Sequence, residues 1–569
     1  MPSLTKKIVN GKPYYYLRES QRVNGKPKIV RTIYLGSAES IEERLLRPKV
    51  EEISIREFGG SVAAYSIAEA LDIVATVDRH VPKRGHQGPS VGQFLLLAAL
   101  NRCVAPQSKS QIGAWYEKTA LARILPLAAD QLTSQQFWDK TEQLSSEQIA
   151  AIEQELAQNA VTRFGLDLNC LLFDATNFFT FLDSFNQRAK LPERGDAQQG
   201  QDDLRLSGLA VLATTDGNVP LLHHTYAGNE HDSAMFRSVV DPLLARCRAL
   251  SEEGDQITLL FDKRNDPEEN LDPVEQGWVH FVGSLAATQH EDLMAIGREQ
   301  MRRLDRSQLP AVWAYRTEKK VFGRNRTVLV TFDQQLLNAQ QKTLSREINK
   351  RKRKLEKLQD ELQRIRPEDP GNKPAVDGIE KSVKEILRGR HIKNLFSAQV
   401  TKTQQGLPRL RLRLRFQFRE AEYQKLQSTF MGKTILFTDH GQDWSDEQIV
   451  LAYRAQHHVE ADFCRLSDPR YLSFRPAFHW TDQKLRVHAF YSVLALVILN
   501  LLRRKLAQSG IVLSNVEMMN QLREINEVTL LYPAPQRSEQ PVVQTQLSKM
   551  NDREKKLVSV LGLERFLRN

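Results

Sequence analysis

The sequence Leu171-Leu172-Phe173-Asp174-Ala175-Thr176-Asn177 marks the point at which the hydrophobic period changes from helical to strand-like. An apolar run closed by an acid is typical of a buried strand, here ending at Asp174. A second such run, Ile257–Phe261, is followed directly by Asp262. The elements predicted between and after these runs are a hairpin, a helix and a strand: Leu209–Thr214 with Val219–His224, Ser233–Leu250 and Trp278–Val282. This order predicts a mixed α/β sheet.

The segment Trp444–Pro469 predicts a late helix. Ser445 and Gln448 form a capping box at its start, and Pro469 ends it. One face carries a stripe at alternating spacings of four and three residues: Ile449, Tyr453, Gln456, Glu460, Phe463 and Ser467. A carboxylate on such a half-apolar stripe needs a partner, because burying it unpaired is costly. Glu460 is therefore either an ion-paired or solvated rim residue or a metal ligand.

Composition limits the class of protein. A chain of 569 residues is too long to fold around a single hydrophobic core, so several domains are expected. The 80 Lys and Arg against 69 Asp and Glu give a net charge of +11, which favours an anionic partner such as nucleic acid. The four cysteines are far apart, with no Cys-x-x-Cys motif, which argues against a disulfide framework or a zinc knuckle and for a reducing compartment. The longest apolar run, Ala489–Leu502, is too short to span a bilayer. We expect a soluble, cytoplasmic protein without a membrane partner.

Changes in period and charge predict five segments. Residues 1–50 are a basic β-hairpin segment, with type I′ turn signals at Asn10-Gly11 and Asn24-Gly25. It is either a surface for DNA or a sheet that packs on the next domain. The other predicted segments are a helical domain that binds DNA or serves as scaffold (51–165), the α/β domain (166–289 and 433–530), an insertion (290–432) and a linker with a helical tail (531–569).

The predicted insertion combines strands with a basic helical hairpin. Its strands are Thr327–Phe332 and the alternating run Arg409–Arg419, which has one apolar and one basic face. Between them an apolar seam predicts a long helix that carries the block Lys350-Arg351-Lys352-Arg353-Lys354. Such a block is either a solvated helix face or a surface that follows phosphates.

Three carboxylates form the candidate site: Asp174, Asp262 and Glu460. Acids that close apolar strands lie at the sheet edge where α/β folds bind ligands. Carboxylates that converge there repel one another unless divalent cations separate them, and oxygen ligands suit Mg²⁺ or Mn²⁺. Two such ions can activate a water or a 3′-hydroxyl for phosphodiester chemistry.

Through these residues the sequence resembles the DDE transposases of bacterial insertion sequences. The group concerned has an RNase H-like catalytic domain, an insertion before the glutamate and a Tyr-x₂-Arg-x₃-Glu-x₆-Lys signature. The matching segments span roughly residues 1–530: Phe173-Asp174-Ala175-Thr176, Pro220-Leu221, Gly228-Asn229-x-x-Asp232, Phe261-Asp262-Lys263, Phe281-Val282-Gly283-Ser284, Tyr453 with Glu460, Arg475-Pro476-x-x-His479-Trp480-Thr481 and His488.

The resemblance implies that Asp174, Asp262 and Glu460 hold two Mg²⁺ (or Mn²⁺) ions. The enzyme would bind double-stranded DNA, cut transposon ends and join them to target DNA as a homodimer at the bacterial nucleoid. The insertion would contact the ends, and Tyr453 and the basic block of residues 350–354 are DNA-contact candidates. His488 would support the metal ligands indirectly. The alternatives are a catalytically decayed or domesticated DNA-binding protein and a plain nuclease of the same fold.

Four positions depart from the family pattern. Gln456 and Ser467 stand where the signature has Arg and Lys, which removes two phosphate contacts. The candidates to replace them, Arg454 and Arg465, lie on other faces of the helix. After the second acid, Arg264 and Pro267 stand where the family usually has Gly and Ser. These departures put the catalytic activity of this copy in doubt. All three acids are nevertheless present.

Overall fold

The computed structural model describes residues 2–23, 26–46, 50–82, 88–180, 182, 186, 188–194, 205–228, 232–250, 257–261, 279–364, 375–389, 391–403, 411–467, 479–533 and 541–567. In parts of these ranges, including 457–467, only the backbone is described. Asp262, Arg264 and Pro267 therefore lie outside the described residues, and Glu460 and Arg465 are described as backbone alone.

The strands run as follows in chain order: β1 Pro2–Val9, β2 Lys12–Val23, β3 Lys26–Gly36, β4 Glu52–Glu57, β5 Cys170–Thr180, β6 Glu193–Arg194, β7 Arg205–Thr214, β8 Pro220–Ala227, β9 Thr258–Phe261, β10 His280–Leu285, β11 Arg302–Arg303, β12 Val312–Val321, β13 Arg324–Asp333, β14 Phe396–Thr403, β15 Arg411–Phe418, β16 Lys433–Thr438, β17 Asn526–Tyr532 and β18 Val542–Leu547. The helices are α1 Ala38–Leu46, α2 Gly59–Ala70, α3 Ile73–His80, α4 Val91–Val104, α5 Ile112–Glu117, α6 Leu121–Ile124, α7 Ser134–Thr141, α8 Ser146–Phe164, α9 Asp232–Arg248, α10 Glu291–Met294, α11 Gln334–Arg364, α12 Val376–Ile386, α13 Ile392–Leu395, α14 Glu420–Thr429, α15 Asp446–Ser467, α16 Asp482–Gln508, α17 Asn515–Arg523 and α18 Asp552–Leu561.

A large mixed sheet organises the fold, which is α/β as predicted. Its strand order is β11-β12-β13-β16-β10-β9-β5-β7-β6, and β8 pairs with β7. The β5–β9 and β9–β10 pairs are parallel, whereas the hairpin β7–β8 is antiparallel, as its Asp216-Gly217 turn predicts. Sheet strands and helices share one continuous hydrophobic core.

The sheet extends further than the sequence predicts. We expected residues 290–432 to form a separate insertion, but β11, β12 and β13 continue the main sheet beside β16. The reason is the apolar run of β13, in which Val330 pairs with Ile435 and both are buried. Only the part that begins with α11 has its own core, in which Leu355 and Leu362 face Ile379 and Leu414.

The strand β5 also runs on past its predicted end. Asp174 lies in its middle, opposite Val211, and the strand continues to Thr180. The residues after Asp174 favour a strand: Phe178 and Phe179 are buried, and the Thr180 hydroxyl donates to the carbonyl of Arg205 at 3.0 Å.

The helical layer packs on one side of the sheet through α16. This helix contacts α2, α4 and α8 as well as β8, so it joins the predicted helical and α/β segments. At 27 residues the helix is longer than the predicted apolar run and long and apolar enough to span a membrane, so the prediction that it is too short is wrong. However, 89% of its apolar 18-residue segment is buried inside the protein. The prediction of a core helix at this position is confirmed.

The two ends of the chain form smaller sheets. β1, β2 and β3 are one sheet, and the Asn10-Gly11 turn has positive φ at both residues, as predicted for type I′. The other sheet joins β4 to β17 and β18. The tail predicted as linker and helix thus also contains a strand, because Val542–Leu547 pairs with Glu527–Tyr532.

Candidate active site

Of two adjacent strands, one carries Asp174 and the other ends one residue before Asp262 in the sequence. β5 and β9 are neighbours and parallel, and Leu172 pairs with Leu260. Asp174 lies two residues beyond Leu172 on β5, and β9 ends at Phe261, the residue that precedes Asp262 in the sequence. The first acid and the residue before the second thus belong to adjacent strands that run in the same direction.

The helix α15 covers these strands. It contacts β5, β9, β10 and β16, and it begins as predicted, with Ser445 N–H bound to Gln448 Oε1 at 2.9 Å and Gln448 N–H bound to Ser445 Oγ at 3.3 Å. Ile449 and Gln456 of the predicted stripe are buried and Tyr453 is half-buried. The stripe therefore faces inward along the first half of the helix, where the side chains are described. Glu460 lies in the second half, where only the backbone is described.

Asp174 is the one acid of the three whose side chain is described. It is half-buried, and its Oδ1 accepts a hydrogen bond from the N–H of Ala175 at 2.8 Å. No group of three or more His, Cys, Asp or Glu side chains that could hold a metal occurs within the described residues. The metal ligation by Asp174, Asp262 and Glu460 remains a prediction.

The departure at Gln456 has a physical consequence. Its side chain is 4% exposed, and neither its Oε1 nor its Nε2 has a hydrogen-bond partner among the described atoms. A buried amide without partners costs free energy, about 1–3 kcal/mol by the usual penalty for unsatisfied polar groups. An arginine at this position of the helix would face the same interior.

The neighbouring helix residues occupy different environments. Arg454 forms an ion pair with Asp333 at the end of β13 and donates to the carbonyl of Gln308 at 3.4 Å. These contacts satisfy the charge and the hydrogen-bond donors of Arg454 within the protein, so its position does not require a DNA phosphate. Tyr453 lies at a groove of about 720 Å³ between Leu285 of β10 and residues of α11 and α14. The Arg465 side chain is among those not described, so its role stays a prediction.

The basic block divides into one anchored residue and four exposed ones. Arg351 is half-buried, pairs with Glu347 at 3.3 Å and donates to the carbonyl of Arg388 at 3.2 Å, so it holds α11 to the chain after α12. Lys350, Lys352, Arg353 and Lys354 are exposed. The block therefore has the form of a solvated helix face that is also open to an anionic partner.

The β14–β15 hairpin confirms the predicted two-faced strand. Leu412, Leu414 and Phe416 pack into the separate core with α11. Arg413 and Arg415 lie on the other face and are exposed, opposite Thr401 and Gln399 of β14. Together with the exposed cations of α11, they make this part of the chain strongly basic.

His488 belongs to a buried hydrogen-bonded cluster that the sequence analysis did not predict. Its Nδ1 hydrogen-bonds to the Tyr491 hydroxyl, to which the Lys109 ammonium also donates. Burial, followed by the charge of Arg102, holds the pKa of Lys109 well below its usual range. Burial also lowers the pKa of His479, whose ring lies 4.6 Å from that of His488 between centroids, with the two planes tilted by 59°. His488 has a packing role here; its predicted support of the metal ligands is untested.

The adjacent histidines His223 and His224 lie in different environments. His223 is buried and bonds to Glu153 through both its backbone N–H and its Nδ1. His224 is exposed. Glu153 is a residue that the sequence analysis missed, although it lies four residues after Ile149 and three before Leu156 on an apolar helix face. That is the same signal that singled out Glu460.

Comparisons with known proteins give little beyond this geometry. No protein-family model and no curated protein matches the chain. Among solved structures, one match is the cryo-electron microscopy structure of a piggyBac transposase synaptic complex with hairpin DNA. The two chains are 7% identical, the match covers 82% of this chain and 78% of that chain, and the TM-score is 0.35. A TM-score this low does not establish a shared fold.

Proposed function

We propose that the chain is a DNA transposase of the DDE type, which binds transposon ends and carries out metal-dependent cleavage and strand transfer. Asp174, Asp262 and Glu460 are its catalytic acids in this proposal. The observation that carries it is the convergence at β5 and β9. These adjacent parallel strands bear Asp174 and lead into Asp262, and the helix that contains Glu460 packs across both.

The order of the strands supports an RNase H-like catalytic domain. From the β8 side the order is β8-β7-β5-β9-β10, in which β7 is antiparallel and the other four strands run in one direction. This is the arrangement expected of an RNase H-like sheet. In open sheets that contain parallel strands, ligands bind beyond the carboxyl ends of those strands. The end of β9 lies on that side, and Asp174 lies level with it, although β5 itself continues to Thr180.

In this proposal the three carboxylates would hold Mg²⁺ or Mn²⁺, because these hard cations prefer oxygen ligands. When bound, the ions would activate a water or 3′-hydroxyl and stabilise the leaving oxygen of a phosphodiester. The half-buried position of Asp174 suits this role, since partial burial limits competing hydration while leaving access. The packing of α15 would fix Glu460 relative to β5 and β9.

The substrate in this proposal is double-stranded DNA. The net charge of +11 favours a polyanion, and the segment from α11 to β15 exposes Lys352, Arg353, Arg413 and Arg415. Those cations can neutralise phosphates without reading bases. Because two transposon ends must be cut together, we propose that the active form is a homodimer at the bacterial nucleoid in the cytoplasm.

A direct test separates catalysis from binding. The substrate is DNA that carries the inverted repeats flanking the gene, incubated with Mg²⁺ and either the unaltered chain or Asp174→Asn. We expect Asp174→Asn to bind the ends with unchanged affinity and to cut at least 100-fold more slowly, since catalytic groups of this kind contribute factors of that order. Asp167→Asn is the matched control, because Asp167 is exposed just before the same strand and its carboxylate accepts a hydrogen bond from the nearby N–H of Asn169.

Each other outcome assigns a different function. Unchanged cleavage by Asp174→Asn would refute the metal-site assignment. If the unaltered chain binds ends but never cuts them, it is a decayed or domesticated DNA-binding protein. The loss of cleavage would then be attributed to the departures at Gln456 and Arg264. Cleavage without joining would identify a nuclease.

A further inference from the structure

The N-terminal sheet of β1, β2 and β3 has two faces of different chemistry. Register places Lys7 opposite Tyr14, and Tyr16 opposite both Thr5 and Tyr34. Since paired residues project to the same side, one face contains the following described residues: Ser3, Thr5, Lys7, Val9, Lys12, Tyr14, Tyr16, Arg18, Thr32 and Tyr34. We call this set the tyrosine face.

The opposite face is apolar and of mixed charge. It carries Leu4 and Ile8, which are 63% and 69% exposed, and it contains Lys6. It also places Glu19 opposite Arg31, so a positive charge there is balanced across the strands.

On the tyrosine face, the aromatic rings form a continuous group. Tyr34 lies 6.1 Å from Tyr14 and 5.2 Å from Tyr16, between ring centroids. The Lys7 ammonium sits 5.6 Å above the Tyr16 ring, so the cation and the aromatic group present one surface. Lys7 and Lys12 are exposed, and 40% of Tyr34 is exposed.

The charge of the tyrosine face is positive throughout. Lys7, Lys12 and Arg18 are its ionisable cations, and no Asp or Glu belongs to the described members of the face. Within the described part of the chain none of the three cations has a carboxylate within salt-bridge distance. The pKa of Glu39 on α1 is lowered, first by a hydrogen bond from Ser37 and to a smaller extent by the nearby charge of Lys12. The cations extend over six strand positions, which is about 20 Å, or about six phosphates along one DNA strand.

We propose that the tyrosine face is a docking surface for the phosphate backbone of double-stranded DNA. This inference rests on the proposed function, since it assigns a second DNA contact to the same protein. Lysine and arginine supply the charge, and tyrosine hydroxyls donate to phosphate oxygens while their rings pack on the sugars. The lack of acids favours a polyanion over a protein partner, and a sheet is one of the elements that proteins place on DNA.

Two adjacent lysines make a matched test. Lys7→Ala and Lys6→Ala each remove one exposed positive charge, one on the tyrosine face and one on the other face. Binding of the full chain to a 30-base-pair duplex of random sequence is measured by fluorescence anisotropy from 50 to 200 mM NaCl. Lys7→Ala should reduce the salt slope of log K by about 0.9, and Lys7→Ala with Arg18→Ala by about 1.8. Lys6→Ala should leave the slope unchanged.

Equal effects of Lys6→Ala and Lys7→Ala would overturn the proposal, since charge alone and not the face would then matter. Unchanged binding in every variant, with a shift in sedimentation toward monomer for Lys7→Ala, would identify the face as a contact between copies and also overturn it. Failure of the unaltered chain to bind any duplex would instead refute the proposed function. Circular dichroism of each variant excludes unfolding as the cause of a lost slope.

Discussion

Replacing Glu153 by alanine removes the centre of a buried ionic group that joins three elements. Glu153 lies on α8, and its carboxylate accepts the His223 N–H of β8 at 2.9 Å, the His223 ring and the Arg246 guanidinium of α9 at 2.8 Å. Glu153 is 5% exposed, and the Arg246 side chain is 22% exposed. The alanine variant therefore leaves a buried imidazole and a mostly buried guanidinium without their anion.

The expected loss is about 4 kcal/mol, because removing one partner of a buried ion pair typically costs about 3–5 kcal/mol. Glu153→Gln should cost about half, since the amide oxygen can still accept from His223 while the amide N–H groups face Arg246. Glu155→Ala is the control on the same helix: Glu155 pairs with Arg79 and His80 but its side chain is 35% exposed, so the loss should stay below about 1 kcal/mol.

The assay is urea unfolding of the three variants, followed by tryptophan fluorescence at pH 7 and pH 3. Burial by itself raises the pKa of Glu153, but His223 and then Arg246 lower it by more, so it lies below the ordinary value of 4.5. The stabilisation is complete above pH 4.5 and is lost as the pH falls through the folded value. The gap between the unaltered chain and Glu153→Ala should shrink at pH 3. A loss no larger than that of Glu155→Ala at pH 7 would refute the reasoning.

Three further outcomes follow from local geometry. Gly208→Ala should destabilise by about 1–3 kcal/mol, because a Cβ there would meet the Tyr226 ring at 2.2 Å, whereas Gly378→Ala has nothing within 4 Å and should stabilise α12 by up to about 1 kcal/mol. Thermal melts of both check this, and equal midpoints would contradict it. Removing two exposed cations, Lys352→Ala with Arg353→Ala, should lower the salt slope of DNA binding by about 1.8 with no change in melting temperature. A lower melting temperature with an unchanged slope would show that these cations stabilise the fold instead.

Local signals in the sequence predicted local structure well. The capping box of Ser445 and Gln448 and the turn at Asn10-Gly11 each depend on a few neighbouring residues, so their chemistry is complete in the sequence. The alternation of β15 likewise identified its basic face. Strand existence and type were therefore predictable.

Pairing over long distances was not predictable. Nothing near Val330 indicates that its strand pairs with Ile435, which lies beyond the helices and hairpin of the separate core. The end of β5 was misplaced for a similar reason, because the pairing of Phe178 with Ser207 extends the strand past Asp174. Buried polar groups show the same limit: Glu153 and Glu460 share one sequence signal, but only the tertiary contacts of Glu153 show that it is ion-paired.

The metal site proposed for Asp174, Asp262 and Glu460, which would hold one pair of metal ions, can be probed directly. Fe²⁺ that replaces Mg²⁺ in such a site reduces added hydrogen peroxide to hydroxide and a hydroxyl radical, which cuts the polypeptide close to the metal, and ascorbate returns the Fe³⁺ formed to Fe²⁺. We expect treatment of the full chain with Fe²⁺, hydrogen peroxide and ascorbate to give cuts near residues 174, 262 and 460, each suppressed by excess Mg²⁺ and absent from Asp174→Asn. Cuts at fewer than all three segments, or cuts that Asp174→Asn leaves unchanged, would contradict the proposed site.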